Sequence, residues 1–231
     1  MSKLVTNLYD EKIIKNSNAS LVKMSDLVEK TIGGDWGKEE LTGNYNSEVL
    51  CIRGADIPEM DSGNKGKAPN RFILEKNLIN KQLHGEEIII EISGGSPTQS
   101  TGRCTYITKE LEKSFDKPLI CTNFCRAIKL KDNKNLPIFY MNLKHLYKKN
   151  IMFLYENGTT GIKNLDLTSL MENEEINVVD GDTLNKFNEV YYAINKKIIQ
   201  NASENRVLED LRDTLLPKLM NGEIDLDKIE I

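Results

Sequence analysis

The chain reads as an α+β protein, with a mixed, strand-rich domain over residues 1–180 followed by one long coiled-coil-forming helix and its tail over residues 181–231. Two patterns carry this. From Leu21 to about Val179 short β-type apolar runs are punctuated by Gly, Asn and Asp. From Gly181 the punctuation stops, and apolar residues recur at heptad spacing with no Gly or Pro before Pro217. Of the 231 residues, 39% are hydrophobic and 29% charged, so the chain can bury a core and is not a disordered segment.

Residues 1–20 are polar and mixed, a short helical or irregular lead-in. A helix is expected near residues 25–30, with Gly33, Gly34 and Gly37 making a tight turn around Trp36. Strands are expected at 49–53, 71–74, 87–92, 104–107, 119–121, 126–130 and 151–155. A helix around 138–149 follows from the apolar spacing of Phe139, Leu143 and Leu146, with Lys144, Lys148 and Lys149 on its outer face. For the long helix, Asp182 or Thr183 can serve as cap. One heptad series then reads Phe187, Ile194, Asn201, Leu208, Leu215 and the other Leu184, Tyr191, Ile198, Asn205, Arg212. This seam is apolar at both ends and polar at Asn201 and Asn205. Residues 183–215 as one helix span ~50 Å, and a lone helix of that length exposes its seam, so a partner helix is expected.

Charge and motif content exclude several functions. With 31 Lys+Arg against 35 Asp+Glu, the net charge is −4, unlike a stand-alone polyanion binder. It is uneven, however: residues 103–149 carry eleven basic and four acidic side chains, whereas residues 181–231 carry seven basic and ten acidic ones. That contrast suggests polyanion contact by the first segment and protein contact by the second; a solvated lysine-rich face is the alternative. The glycine-rich stretch 93–103 lacks P-loop spacing and ends in Arg rather than Lys-Ser/Thr, against nucleotide binding. The six prolines are all isolated, which excludes an N-P-P-Y or D-P-P-Y methyltransferase site. Two histidines and no G-x-S-x-G leave little material for a hydrolase triad. The four cysteines, Cys51, Cys104, Cys121 and Cys125, form no C-x-x-C pair, and with His84 and His145 they match no zinc module. Small buried thiols in a reducing cytosol are expected, with no metal site, no membrane span and no signal peptide.

The most specific text is the tail Leu208-Glu209-Asp210-Leu211-Arg212-Asp213-Thr214-Leu215-Leu216-Pro217-Lys218-Leu219-Met220-Asn221-Gly222-Glu223-Ile224. It resembles the end of the conserved helix in specificity (S) subunits of type I restriction–modification systems, which reads close to L-R-D-x-L-L-P-K-L-M-x-G-E-I. Upstream blocks look like the target-recognition domain of the same family: Gly34-Asp35-Trp36-Gly37-Lys38, Ile52-Arg53-Gly54-Ala55-Asp56-Ile57, Ile92-Ser93-Gly94-Gly95-Ser96 through Gly102-Arg103, Cys121-Thr122-Asn123-Phe124-Cys125-Arg126, and Gly158-Thr159-Thr160-Gly161-Ile162-Lys163-Asn164-Leu165. The resemblance covers roughly residues 21–225. A full S subunit has two target-recognition domains and two long helices that pair antiparallel. One of each is found here, with no internal repeat, so a half S subunit is expected, restored to two domains by homodimerisation.

The resemblance implies a non-catalytic DNA sequence-specificity subunit, cytoplasmic and without cofactor, that reads one half-site of double-stranded DNA and docks methyltransferase (modification) subunits, with restriction/translocase subunits as further partners. S-adenosylmethionine, ATP and Mg²⁺ then belong to those partners. Expected DNA contacts are Lys38, Arg53, Ser96, Thr98, Gln99, Ser100, Arg103, Lys144, Thr159, Thr160 and Lys163. The 93–103 loop ranks first among them because glycine freedom, hydroxyls, Gln99 and Arg103 suit base edges and phosphates. Trp36 is read as packing rather than stacking on a base, and Phe124 as buried between Asn123 and Arg126. The dimer helix is expected to use Leu184, Phe187, Tyr191, Ile194, Ile198, Asn201, Asn205, Leu208 and Leu215. Two other functions remain open: a recognition module of a type IIG-like or BcgI-like restriction–methyltransferase, and an S-like regulator that binds no DNA and sequesters methyltransferase.

Overall fold

A computed structural model describes residues 3–94, 96, 98–158 and 162–223. Helix α1 (Lys3–Tyr9) runs into one π turn (Asp10–Ile14). There follow β1 (Ser20–Lys23), α2 (Met24–Leu27), β2 (Val28–Gly33), β3 (Tyr45–Ile52), α3 (Ile57–Asp61), β4 (Asn70–Leu74), α4 (Glu75–Lys81), β5 (Glu87–Glu91), β6 (Ser93–Gly94), β7 (Cys104–Ile107), α5 (Lys109–Lys113), β8 (Leu119–Cys121) and β9 (Cys125–Leu130). The chain continues through α6 (Leu136–Lys148), β10 (Glu156–Asn157), β11 (Lys163–Leu165), α7 (Leu167–Asn173), β12 (Glu175–Val178) and α8 (Gly181–Met220).

The central sheet has the order β2-β9-β5-β7, and a second sheet runs β4-β3-β8 with β3 and β8 parallel. Two smaller ladders, β10-β11-β6 and β1-β12, complete the domain. Strand β5, Glu-Ile-Ile-Ile-Glu, is buried along its whole length because the central sheet is covered on both faces. Its alternation still sorts the side chains. Ile88 and Ile90 enter a core with α1, α6, α7 and the start of α8, while Ile89 points into a second core with Ile52, Leu111 and Leu119.

Three expectations change. Only residues 25–27 of the helix expected at 25–30 are helical: α2 stops at Leu27, and Val28 opens β2, whose β-branched Val28, Thr31 and Ile32 pair with β9. Residues 151–155 are a 3₁₀ turn rather than a strand, entered through left-handed Asn150 (φ 60°). Only Met152 of that run is buried, and Leu154 is exposed. Finally, α6 is covered on nearly every side, so Lys144 is not on an outer face; its Nζ lies 2.9 Å from Asp61 and its side chain is only 18% exposed.

Helix α8 is capped by Asp180, two residues before Asp182, the nearer of the two expected caps. The Asp180 carboxylate accepts from Thr183 N at 2.9 Å and from Thr183 Oγ1 at 2.8 Å. Its 40 residues correspond to about 60 Å. Pro217 does not end it, since the missing hydrogen bond falls in the last turn; the helix runs on to Met220. The stop is a Schellman closure in which Glu223 N donates to Lys218 O (2.9 Å), Gly222 N donates to Leu219 O (3.2 Å), and Gly222 takes φ 73°. The L-P-K-L-M-N-G-E text is therefore a helix terminator.

The seam of α8 divides into two parts. Leu184, Phe187 and Tyr191 are buried in the chain's own domain, with Phe187 against Tyr9 (6.1 Å) and Tyr191 (6.0 Å). Ile194 packs at the edge of the same core, and Ile198 lies over Gly63. Asn201, Asn205 and Leu208 are exposed, as are Val207, Leu211, Leu216 and Met220. The expectation that the whole seam needs a second helix is thus corrected: its first half is satisfied within the chain. Phe187→Ala is expected to cost about 3–5 kcal/mol in urea unfolding, as large aromatic truncations in cores do. Leu208→Ala should change monomer stability by no more than about 0.5 kcal/mol, the range of an exposed position.

Candidate nucleic-acid interface

Strand β8 belongs to the second sheet and β9 to the central one, so residues 122–124 turn a corner between sheets. The loop from β2 to β3 crosses the same junction. Backbone hydrogen bonds tie these crossings together: Asp35 N donates to Cys121 O (2.8 Å), Thr122 N to Ile52 O (2.9 Å) and Ile92 N to Phe124 O (2.8 Å). A Cβ on Gly34 would lie 1.9 Å from Thr122 O, which is why a glycine stands there. The Asp35 carboxylate holds the same loop, accepting from Gly37 N at 3.1 Å and from Asn77 Nδ2 at 2.6 Å. Four of the sequence blocks quoted above meet at this junction.

Between them lies a cleft of about 480 Å³. Trp36 forms one wall, and Asn123 and Phe124 another. Its floor is an ion pair in which Arg103 donates from Nε and Nη2 to Glu91 at 2.8 and 2.7 Å. Gly54 makes room for that pair, since a Cβ there would sit 2.3 Å from Glu91 Oε1. Arg53 is engaged in the same manner, with Nε and Nη2 each 3.0 Å from the buried Asp56 carboxylate, which also accepts from the Arg53 and Lys67 backbone N–H groups. Arg71 lies 4.0 Å from the Trp36 ring and pairs with Glu39 at 3.0 Å.

The expected DNA contacts are therefore placed unequally. Thr98 and Gln99 are exposed at a turn closed by Ser96, whose Oγ accepts from Gln99 N at 3.1 Å. Lys38 is exposed beside Trp36. Ser100, by contrast, lies beneath the surface at 3% exposure. Arg53 and Arg103 have their guanidinium forks filled, and Lys144 is held by Asp61. Lys163 pairs with Glu156 at 3.0 Å and lies over the Phe153 ring. Thr159 and Thr160 fall outside the described residues. The basic excess of residues 103–149 is partly matched in space, through Lys109–Glu86, Lys117–Glu48 and Lys129–Glu29 besides the Arg103 and Lys144 pairs above.

Phe124, read from sequence as buried, is 56% exposed, and Trp36 is 39% exposed. The exposure of Phe124 was legible in one respect: a three-residue connection between two strands leaves its tip side chains outside the ladder. The four cysteines are free and buried, as expected, and burial pushes the Cys51, Cys104 and Cys125 thiols up to about 12 and that of Cys121 higher still. None is poised as a nucleophile at neutral pH. Among the described residues no group of three or more His, Cys, Asp and Glu could hold a metal ion, and no helix is long and apolar enough to cross a membrane.

Burial by itself pushes the Asp56 carboxyl up, but the Arg53 guanidinium and the two backbone N–H groups outweigh it and hold the group below its ordinary value. Stability from such a carboxylate is present above the unfolded pKa of about 3.9 and lost as pH falls through the lower folded value. Asp56→Asn is expected to cost about 2 kcal/mol at pH 7, less than a fully buried pair because Arg53 is 37% exposed. Urea titrations of both proteins should show that difference shrinking as the pH is taken below about 4.

No protein-family model matches the chain. Over 128 residues, 55% of this chain, it is 28% identical to the type I restriction enzyme HindI specificity subunit of Haemophilus influenzae, and the match covers 28% of that protein. Among solved structures it is similar to the type I restriction–modification S subunit of M. genitalium, with TM-score 0.57 and 19% identity over 90% of this chain and 48% of that one. It is also similar to a chain from a study of complex assembly and conformational transition in the type I restriction–modification system, with TM-score 0.52 and 11% identity over 93% of this chain and 50% of the other. The chain spans about half the length of these solved structures. In sequence over 128 residues, and in fold over about nine-tenths of its length, the chain is similar to the specificity (S) subunits of type I restriction–modification systems.

Proposed function

We propose that the chain is a DNA sequence-specificity subunit that performs no chemistry itself, reads one half-site of duplex DNA through its strand-rich domain, and docks methyltransferase subunits. The observation that carries this reading is the division of α8. Its distal half leaves Val207, Leu208, Leu211, Leu216 and Met220 uncovered among the described residues. A second copy placing its own distal segment antiparallel along this face covers both at once, and sets two identical domains at opposite ends of the helix pair. Because the proximal seam is already used, the pairing runs along residues 207–220, with Asn201 and Asn205 at its domain-side flank.

Catalysis, and with it S-adenosylmethionine, ATP and Mg²⁺, falls to partner subunits. Those partners also supply much of the phosphate neutralisation, consistent with a net charge of −4 and with the internal pairing of Arg53, Arg103, Lys144 and Lys163. The uncovered distal helix equally suits a recognition module docking onto a fused restriction–methyltransferase. The exposed Lys38, Thr98 and Gln99 favour DNA contact over a purely sequestering role.

Sedimentation of the full chain at tens of micromolar is expected to show a dimer, and Leu208→Asp with Leu211→Asp should return it to monomer without loss of helix content. A wild-type chain that stays monomeric would contradict the pairing. Since two-fold symmetry presents one half-site in opposite orientations, modification by the reconstituted complex should fall on an interrupted palindrome. Exchanging residues 21–180 for another recognition domain should change the half-site and preserve the gap. A continuous or asymmetric site from a complex containing only this specificity chain would count against homodimeric reading.

A further inference from the structure

We propose that the base-reading element of this domain is the corner at residues 122–124, with the Asn123 amide on an adenine edge and the Phe124 ring against the methyl of thymine, so that the cleft facing Trp36 selects an A·T pair. The inference rests on the DNA-reading function proposed above and moves specificity away from the arginines that the sequence favours.

The arginines are the first reason. A guanidinium that reads guanine offers two parallel N–H donors to O6 and N7. Both arginines bordering the cleft have already given those donors to carboxylates, Arg103 to Glu91 and Arg53 to Asp56, at 2.7–3.0 Å. Releasing either strands a carboxylate of 3–4% exposure without its cation. These residues are positioning groups that shape the floor and rim.

The second reason is the corner itself. Its two ends are held by backbone hydrogen bonds: Thr122 N donates to Ile52 O at 2.9 Å, Cys125 N donates to Thr122 O at 3.0 Å, and Phe124 O accepts from Ile92 N at 2.8 Å and Ser93 N at 3.2 Å. The corner is rigidly mounted, yet it carries a phenyl ring 56% in water and an exposed amide that makes no hydrogen bond among the described residues. A large apolar group held out on a fixed turn, beside a free amide and across a cleft from a second exposed aromatic, is arranged for contact without reorganisation. Asn pairs bidentately with adenine N6 and N7, and a phenyl ring packs on the thymine methyl; both features lie in the major groove. Two cations stand near, two residues beyond each aromatic: Lys38 after Trp36 and Arg126 after Phe124. Both are exposed and make no ion pair among the described residues, leaving them for phosphates on either side.

The test is enrichment of duplexes from a randomised double-stranded DNA library by the full chain at low salt, comparing wild type with Asn123→Ala, Phe124→Ala, Phe124→Leu and, as an exposed apolar control on α4, Ile79→Ala. Circular dichroism establishes that each variant is folded. Asn123→Ala removes only an unbonded exposed amide and so keeps the test valid even if Phe124→Ala unfolds. Wild type and Ile79→Ala should enrich one common motif containing an A·T pair. Asn123→Ala and Phe124→Ala should lose preference at that pair by tenfold or more with the other positions retained, and Phe124→Leu should keep part of it. Unchanged preference in both alanine variants overturns the proposal, as does an equal loss at every position, or a loss confined to binding a methyltransferase subunit. If wild type enriches no sequence either alone or in complex with its methyltransferase subunits, the DNA-reading function falls, and this inference with it.

Discussion

The burial of Leu184, Phe187 and Tyr191 in the core formed by α1, α6 and the central sheet is the constraint on which the rest of the architecture depends. It converts the first four turns of α8 from a free coiled-coil strand into part of the domain. Two further attachments extend the hold, at Ile198 and Ile199 over Gly63 and at Arg206, which donates to Asn64 Oδ1 at 2.9 Å. Beyond these points the helix leaves the domain in a fixed direction. The strand-rich domain and the distal helix are thereby joined without a flexible linker, and under the proposed pairing the distance between two domains becomes a property of helix length.

The same division explains the polar centre of the seam. Asn201 and Asn205 stand where the helix stops serving its own domain and starts to present an apolar face outward. Amides at that boundary tolerate water in a free chain and can fix register in a pair, whereas leucines there would be indifferent to sliding. The Schellman stop at Gly222 then ends the apolar face cleanly rather than letting it fray.

Much of this was legible in the residues. The short apolar runs of β5, β7 and β9 were readable as strands, and the heptads marked the long helix with its tail motif. What sequence could not convey was which surface covers which. A seam of Leu184, Phe187 and Tyr191 looks the same whether its partner is another helix or the chain's own core. The run 151–155 has the composition of a strand, but the left-handed turn at Asn150 leaves it no ladder to join. Charge misleads for the same reason: the cations of residues 103–149 are adjacent in sequence, while Glu48, Glu86 and Asp61 reach them from distant segments. Phe124 looked buried because its neighbours are strand residues, and only the passage between two sheets turns it outward.

The central claim is that α8 serves two masters, its proximal half the chain's own core and its distal half a second copy. Hydrogen exchange along the helix, followed from sub-micromolar to high micromolar chain, tests it most directly. The account predicts amides of residues 187–198 protected at every concentration, and amides of residues 205–220 gaining protection only as dimer forms. Protection that rises or falls along the whole helix together, or a distal half unaffected by concentration, would contradict it.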